Sequence, residues 1–548
     1  MISNKMNKKT LALRFLGTGS FTVLFALSLF VVNFVFYYVG GARGSALPAM
    51  AISYKIFVVA FLLSFLRDKT IVVWQCVFAF FIFFESVHWQ YYHILIFPQE
   101  VYEFFHDPNE VFSALSAVVL FLLKGAMVAV LPVVLTLLLL KLVKNRFQIP
   151  YYGFVLLIPM FLLVYNIWNV KSSLGNRPNN NDNIYKNIFK TTVYYFVRQM
   201  PLDFGWVEST FPKYVHDGYP ILHHDPGVNV IFIQGESLTF RHMGVYGYDR
   251  KNTPFLSQLK KEHKIMMRKG VPLGPCTSVS LPSFYNMIRH PVGIKQMLSA
   301  QTNLFRMAKQ NGFETSFISV QSRDALSYIK SYLMPAYIDH YMDSKDFGMG
   351  TYEAGSEQNL LSYLRRVSFS KPQFLVLHEH ACHLVYDKEY PQAYNIYRDK
   401  KGSGHREHEV NTYDNCMSYI DSIYKQIYFE LMKRTHRPTY LIFDSDHGEG
   451  LGEQNGYYGH GNNAIRNVIN IPIIVTGFHG VDMSFLKSSD RDYRSDWMSQ
   501  FELSKVVAHL LGYGVAPILD QTKGYVVNGS RLDGSDGIRK VEVKSLGD

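Results

Sequence analysis

Hydrophobic residues are concentrated in the first third of the chain, where they form long runs with few polar interruptions. These runs extend from about Phe15 to Gly40, Ile52 to Phe65, Ile71 to Phe84, Val111 to Leu140 and Tyr151 to Trp168. A helix needs about 20 apolar residues to cross a bilayer, so the runs predict about five spans, although the second and third are short unless flanking residues join them. The first run is too long for a cleaved signal peptide and does not end in a small-residue cleavage site.

Basic residues in the segments outside these runs predict the orientation of the spans. With five spans, one side of the membrane carries Lys5, Lys8, Lys9, Arg14, Arg67, Lys69, Lys141, Lys144 and Arg146. The short loop on the opposite side carries only Arg43. Because cytoplasmic loops are enriched in lysine and arginine, the basic side is predicted to be cytoplasmic. An odd number of spans then places everything after Trp168 outside the cytoplasm.

Composition narrows the classes of protein to which the chain can belong. The net charge of +11 is not gathered into a nucleic-acid-binding motif. We therefore assign it to cytoplasmic loops and to a surface facing anionic lipid. Cys276, Cys382 and Cys416 are an odd number of thiols in the later part of the chain. They allow at most one bridge there and predict no disulfide framework.

A polar connector separates the apolar region from the rest of the chain. Residues from Val170 to Asn187 have the serine, glycine, proline and asparagine content of a linker. The segment from Ile188 to Met200 predicts a short amphipathic helix, lying either on the membrane surface or against the following domain. We therefore predict a transmembrane domain at 1–169, linker and interfacial helices at 170–226, and a separate domain outside the membrane at 227–548.

Short apolar runs alternate with helical patterns after residue 227. The predicted strands are Val228 to Ile233, Thr315 to Val320, Phe374 to His378, Thr439 to Phe443 and Asn470 to Val475. Predicted helices include Asn303 to Gln310 and Thr412 to Leu431. This alternation predicts an α/β domain with a largely parallel central sheet. Such sheets bind ligands beyond the carboxyl ends of their strands.

Acidic and imidazole side chains follow several of these strands. Glu236 comes after the first strand, and Asp446 and His447 follow the strand that begins at Thr439. Because the ends of parallel strands meet at one edge, these groups are expected to converge on a metal site. Two carboxylates and one imidazole suit zinc with a position left open for the reacting group, and manganese also accepts such ligands.

A turn rich in small residues, Gly274 to Ser283, runs towards a predicted helix. Helix N-termini bind phosphate, and a hydroxyl coordinated to a metal there could attack phosphorus. The candidate nucleophiles are Thr277, Ser278, Ser280, Ser283 and Ser237. The simpler alternative for each is a helix cap.

Taken in order, the motifs resemble those of the phosphoethanolamine transferases that modify lipid A and the lipopolysaccharide core, within the alkaline phosphatase/sulfatase-like superfamily. The motifs are Gly235-Glu236, Tyr246-Gly247-Tyr248-Asp249-Arg250 with Thr253-Pro254, Thr277 with Ser280 and Pro282, Leu377-His378 with His383 and Tyr390-Pro391, Asn411-Thr412-Tyr413-Asp414-Asn415, Ser445-Asp446-His447-Gly448-Glu449 with Leu451-Gly452-Glu453, and Tyr458-Gly459-His460. The resemblance implies that the zinc ligands are Glu236, Thr277, Asp446 and His447. It makes Thr277 the nucleophile. It implies roles in substrate binding for His378, His383 and His460, and for the last two a part in proton transfer or in binding a second zinc.

The chain also departs from the family pattern. Leu273 and Ser283 occupy the positions of the disulfide that usually brackets the nucleophile, so that bridge is absent, and Thr239 stands where the family often has arginine. A sulfatase is disfavoured because Phe284 follows Ser283 where that class has arginine.

The resemblance implies a bacterial inner-membrane enzyme with its catalytic domain in the periplasm. It would transfer phosphoethanolamine from phosphatidylethanolamine to lipid A or another lipopolysaccharide acceptor through phospho-Thr277. Three alternatives stay open: a glycerol-phosphate transferase of the lipoteichoic-acid type, a membrane-anchored phosphodiesterase, and a binding module without activity.

Overall fold

A computed structural model of the chain divides it into two compact units, Met1–Glu208 and Ser209–Asp548. The structure describes residues 8–39, 54–92, 95–96, 119–148, 184–196, 200, 219–290, 301–349, 352–462, 464–483, 496–515, 525–530, 532 and 538–541. The predicted fifth span, from Tyr151 to Trp168, and most of the predicted linker lie outside these residues.

The described part of the first unit consists of helices. They are α1 (Lys8–Val39), α2 (Tyr54–Ser64), α3 (Asp68–Tyr92), α4 (Val119–Leu142) and α5 (Ile184–Tyr194). Among the described residues, three helical segments are long and apolar enough to cross a membrane: Lys8–Val39, Asp68–Gln90 and Phe121–Leu142. They cover the first, third and fourth predicted spans. Helix α2, which covers the second, has 11 residues and is too short to span alone.

Two sets of contacts connect these helices. After α4, Arg146 donates to the carbonyl of Ser64 (2.6 Å) and pairs with Asp68, so two of the predicted cytoplasmic segments meet at the same end of the unit. The amphipathic helix α5 begins before the predicted Ile188. Asn187 on α5 donates to the Glu85 carboxylate of α3 (2.7 Å), which packs α5 against the helices of its own unit.

The second unit is built around an eight-stranded sheet with the order β10-β2-β9-β6-β1-β5-β3-β4. Its strands are β1 (Asn229–Gly235), β2 (Ile265–Val271), β3 (Glu314–Ser319), β4 (His340–Met342), β5 (Gln373–His378), β6 (Thr439–Ser445), β9 (Ile471–Phe478) and β10 (Trp497–Ser499). Only β9 runs antiparallel to its neighbours β2 and β6, so the sheet is largely parallel, as predicted. Two small antiparallel pairs complete the described strands: β7 (Gly450–Leu451) with β8 (Tyr458–Gly459), and β11 (Tyr525–Asn528) with β12 (Ile538–Val541).

Helices cover both faces of this sheet. They are α6 (Pro254–Lys261), α7 (Thr277–Tyr285), α8 (Leu304–Gln310), α9 (Arg323–Leu333), α10 (Gln358–Leu364), α11 (His405–Arg434) and α12 (Gln500–Leu510). Successive side chains of a strand point to opposite faces. Ile231 and Ile233 therefore pack with α6, α10 and α11, whereas Val230 and Phe232 pack with α7, α8, α9 and α12. The result is a three-layer α/β/α domain.

Candidate metal centre and nucleophile

Glu236 lies immediately after β1, at the carboxyl edge of the sheet, and is 1% exposed. The next residue, Ser237, adopts a left-handed φ of 59° and turns the chain back towards the carboxylate. Glu236 Oε1 accepts a hydrogen bond from Ser237 Oγ at 2.8 Å. Glu236 Oε2 accepts one from Gln321 Nε2 at 2.9 Å. The carboxylate is therefore fixed by neighbours on both of its oxygens.

Asp446 and His447 follow the neighbouring strand β6 and are fully buried. Asp446 Oδ1 accepts from the backbone N–H of His447 (2.8 Å) and of Ser237 (3.2 Å). Asp446 Oδ2 makes no hydrogen bond within the described residues, and it lies 3.3 Å from His447 Nε2. His447 Nδ1 lies 3.0 Å from the carbonyl of Gly448, which can only accept, so Nδ1 carries a proton and Nε2 is the ring nitrogen that faces the cluster and could bind a metal ion.

Thr277 is the first residue of α7, and its side chain contacts Glu236 and His447. Its Oγ1 lies 3.3 Å from Glu236 Oε2 and 3.3 Å from His447 Nε2. The side chain stands where the free N–H groups of a helix N-terminus favour an anion such as phosphate. Ligand atoms of Glu236, Asp446 and His447 all lie within 4.8 Å of one another, as a shared metal ion requires.

The electrostatics of the buried cluster also suit a cation. Burial and the charge of Glu236 raise the pKa of Asp446 to about 7. Burial raises the pKa of Glu236, but its hydrogen bond and charge interaction with His447 outweigh this and hold it well below the usual value. Burial lowers the pKa of His447, yet the charges of Asp446 and Glu236 outweigh this and raise it to about 9. Two buried carboxylates share one imidazole, an arrangement that a divalent ion would balance. Asp446 Oδ2, which makes no hydrogen bond among the described residues, is available to bind such an ion.

A second group of side chains extends the site towards solvent. His460 Nδ1 lies 3.0 Å from Glu449 Oε2, and Glu449 Oε1 accepts from the Tyr386 hydroxyl at 2.6 Å. The centroid of the His460 ring lies 4.2 Å from the centroid of the His447 ring and 5.4 Å from that of the His383 ring. His447, Glu449 and His460 also lie close enough together to hold an ion. Glu449 was not singled out as a functional residue from the sequence, although it stands in the Asp446-His447 motif.

His378 occupies a different position from the other two predicted substrate-binding histidines. Its ring is fully buried, with Nδ1 2.8 Å from Ser319 Oγ and Nε2 3.3 Å from Gln321 Nε2. Burial lowers its pKa to about 4, so the ring is neutral. His378 therefore supports Gln321, and through it Glu236, from behind the site. It does not line the open side with His383 and His460.

The other four candidate nucleophiles differ from Thr277 in their hydrogen bonds. Ser237 Oγ donates to Glu236, and Ser278 Oγ lies 3.3 Å from Cys276 Sγ. Ser280 Oγ donates to Gln500 at 2.6 Å. Ser283 Oγ is buried without a hydrogen-bond partner among the described residues. Of the five hydroxyls, Thr277 Oγ1 is the one that contacts both a carboxylate and the imidazole of the cluster.

A separate buried network connects several of the sequence motifs described above. Asp414, which is fully buried on α11, accepts from Tyr248 (2.9 Å) and Arg250 (2.8 Å) and lies 3.2 Å from His242 Nδ1. His242 Nε2 lies 2.7 Å from Glu453 Oε1. The Tyr246–Arg250 motif and the loop after β7 are thus tied to one residue of α11. This network joins these segments of the domain and shares no residue with the metal cluster.

Comparisons with known proteins agree with this architecture. Residues 228–490 match the family model described as Sulfatase. The chain is 24% identical over 254 residues to the Kdo(2)-lipid A phosphoethanolamine 7''-transferase of Salmonella typhimurium, covering 45% of this chain and 44% of that protein. It is 25% identical over 260 residues to the phosphoethanolamine transferase EptA of Helicobacter pylori, covering 45% and 47%. The matched region spans less than half the length of these relatives.

A solved structure extends the likeness to the membrane region. The integral membrane protein lipooligosaccharide phosphoethanolamine transferase A from Neisseria meningitidis matches with a TM-score of 0.60 at 17% identity, covering 95% of this chain and 99% of that one. This likeness confirms the predicted fold class, a helical membrane domain joined to an α/β domain of the sulfatase type. Together, the comparisons confirm the predicted resemblance to the phosphoethanolamine transferases.

Proposed function

We propose that this chain is a metal-dependent transferase that moves phosphoethanolamine from phosphatidylethanolamine to a cell-envelope acceptor, lipid A or the lipopolysaccharide core. One observation carries the proposal. The Thr277 hydroxyl lies 3.3 Å from both a Glu236 oxygen and the His447 Nε2 atom, in a cluster where the buried Asp446 Oδ2 has no hydrogen-bond partner among the described residues. The relatives named as phosphoethanolamine transferases, which match this chain over part of their length, suggest the transferred group.

Zinc is the ion that this set of ligands suits best, and manganese is compatible with the same atoms. Glu236, Asp446 and His447 would hold it, with Thr277 Oγ1 as the fourth ligand. A bound zinc ion would supply the positive charge that lowers the pKa of the threonine hydroxyl and offsets negative charge on the phosphoryl oxygens.

The residues of the chain account for the two transfers. Thr277 Oγ1 would give its proton to His383 or His460 and attack the phosphorus of the donor lipid. An O–P bond to the threonine forms, and the bond from phosphorus to the diacylglycerol oxygen breaks. His460, held by Glu449, and His383 would bind the phosphoryl group, and the histidine that took the threonine proton would pass it to that leaving oxygen. An acceptor oxygen then attacks phospho-Thr277 and releases the threonine. The burial of the cluster limits the access of water during the first transfer.

Both the donor and the proposed acceptor are lipids, which suits an enzyme anchored in a membrane. Anchoring raises the local concentration of each lipid at the site. The charge asymmetry of the loops places the second unit outside the cytoplasm, and we assign it to the periplasmic side of the bacterial inner membrane.

The direct test is Thr277→Ala, with transfer of labelled ethanolamine headgroup measured in membranes. We expect no transfer by Thr277→Ala and ordinary transfer by Ser278→Ala, the neighbouring hydroxyl with no contact to the cluster. Intact mass spectrometry should find phosphoethanolamine on the wild-type chain and none on Thr277→Ala. Full activity of Thr277→Ala would rule out the nucleophile.

The same assay separates the alternatives. Glycerol phosphate on Thr277 would indicate a transferase of the lipoteichoic-acid type. Free phosphoethanolamine without a modified lipid would indicate a phosphodiesterase. A chain that binds zinc but never carries a phosphoryl adduct would indicate a binding module.

A further inference from the structure

A single buried side chain, Gln500 at the start of α12, connects several segments beneath the metal cluster. Its Oε1 accepts from the backbone N–H of Leu273 (2.9 Å) and from Ser280 Oγ (2.6 Å). Its Nε2 donates to Asp444 Oδ2 and to the carbonyl of Ser445, each at 2.9 Å. Gln500 is fully buried, so these four bonds use both hydrogens of its amide and satisfy its oxygen without water.

Three of the four partners of Gln500 lie within three residues of a residue of the site. Ser280 stands on α7 one turn beyond Thr277, on the same face of the helix. Asp444 and Ser445 directly precede Asp446 on β6. Gln500 therefore joins the helix that carries the nucleophile to the strand that carries the ligands.

The connection continues to the third segment of the site through Asp444. The second oxygen of this carboxylate, Oδ1, accepts from Gln234 Nε2 at 2.8 Å. Gln234 lies on β1, two residues before Glu236, and both Gln234 and Asp444 are fully buried. We call Gln500, Ser280, Asp444 and Gln234 the polar frame.

We propose that Gln500 is a positioning residue that holds Thr277, Glu236 and Asp446 at their mutual distances, acting through the polar frame. This inference deepens the proposed function and rests on it for the role of Thr277. Among the described residues, the hydrogen bonds of Gln500 go to none of these three. The oxygen of its planar amide binds Leu273 and α7, and the nitrogen binds β6. A buried partner that loses its hydrogen bond must move or remain unsatisfied, so loss of the amide shifts α7 relative to β6. Geometric errors of about 1 Å in a reacting group can cost about 100-fold in rate.

The first test is Gln500→Leu in the full-length protein, with zinc affinity measured by competition against a chelator. We expect zinc to bind roughly 10- to 100-fold more weakly, the range seen when support beyond the direct ligands is lost. Labelling of Thr277 by the donor headgroup should slow by a similar factor, with the KM for the donor lipid unchanged.

The matched control is Gln373→Leu. Gln373 is also a buried glutamine with several bonds, including one to Glu314 Oε2 at 2.8 Å, but it starts β5 at the end of that strand opposite His378. The substitution Gln373→Leu should lower the free energy of unfolding and leave zinc affinity unchanged.

A smaller change covers the case in which Gln500→Leu does not fold. Ser280→Ala removes one hydroxyl from the frame, and Ser504→Ala removes a buried hydroxyl of α12 that bonds only locally, to the carbonyl of Phe501 (2.7 Å). We expect Ser280→Ala to bind zinc several-fold more weakly and Ser504→Ala to match the wild type. Unchanged zinc affinity and labelling rate in Ser280→Ala and in folded Gln500→Leu would overturn the proposal. If the wild type transfers no headgroup but Gln500→Leu still weakens zinc binding, the frame stands and the proposed function fails.

Discussion

His242 offers a quantitative test of the buried network that connects the Tyr246–Arg250 motif and the loop after β7 to Asp414 on α11. Its ring lies between Asp414 and Glu453, with one nitrogen at 3.2 Å and the other at 2.7 Å from a carboxylate oxygen. Burial lowers the pKa of His242, but the hydrogen bonds and charges of the two carboxylates outweigh this and raise it from 6.5 to about 9. The imidazole is therefore a buried cation at neutral pH.

This pKa difference sets both the size and the sign of the effect on stability. A tenfold change in proton affinity is worth about 1.4 kcal/mol, so the change from 6.5 in the unfolded chain to about 9 in the folded protein contributes roughly 3 kcal/mol to the free energy of unfolding. Because the folded-state pKa of His242 is the higher one, this contribution is fully present below pH 6.5 and is lost as the pH rises through about 9.

The assay compares wild type with His242→Gln by urea unfolding of the full-length protein in detergent micelles. Trp497 is the only tryptophan of the second unit, so a chain whose other tryptophans are replaced by phenylalanine reports on this unit alone. The stability gap between the two proteins should be widest near pH 6 and should narrow by about 3 kcal/mol near pH 10. His408→Gln, which removes an exposed histidine paired with Asp399, should show little of this narrowing. A gap between wild type and His242→Gln that does not change with pH would refute the reasoning.

Two further outcomes concern the metal cluster. Gly448→Ala would place a Cβ 2.0 Å from the carbonyl oxygen of Asn467, so the loop that carries His447 should shift. We expect zinc affinity, measured by chelator competition, to fall at least about tenfold, and an affinity equal to that of the wild type would contradict this. Asp446→Asn removes one of two buried carboxylates, so without metal the variant should unfold at a temperature no lower than that of the wild type. Zinc should raise the unfolding temperature of the wild type but not that of Asp446→Asn. If zinc stabilised both proteins equally, Asp446 would not be a ligand.

The central strands of the α/β domain were predictable because their side chains are buried on both faces of the sheet. The runs at Val228, Phe374 and Thr439 correspond to β1, β5 and β6 within one or two residues. Strand β2 was not predicted, because it carries Arg268 and Lys269 at its centre and all but its last two residues are only half buried. Its position depends on pairing with β9 and β10, which no local pattern encodes.

Convergence at the site was predictable in part, since the carboxyl ends of parallel strands meet at one edge. That rule brought Glu236 and Asp446 together from positions 210 residues apart in the sequence. Gln500 could not be found in this way, because a lone glutamine before a helix has no distinguishing chemistry in the sequence. The roles assigned to Thr277, His383 and His460, and the domain limits at 169 and 226, stay predictions for the experiments above.

All four cysteines of the chain lie within the described residues, and none of them forms a disulfide there. Three of them, Cys276, Cys382 and Cys416, are buried in the second unit. Hydrogen bonds and packing therefore hold together the segments around Thr277 without covalent help. Maturation of the second unit should not require thiol-oxidising machinery, and reductants should leave its zinc binding intact. A host whose compartments are reducing would be as suitable for producing it as one that forms disulfides.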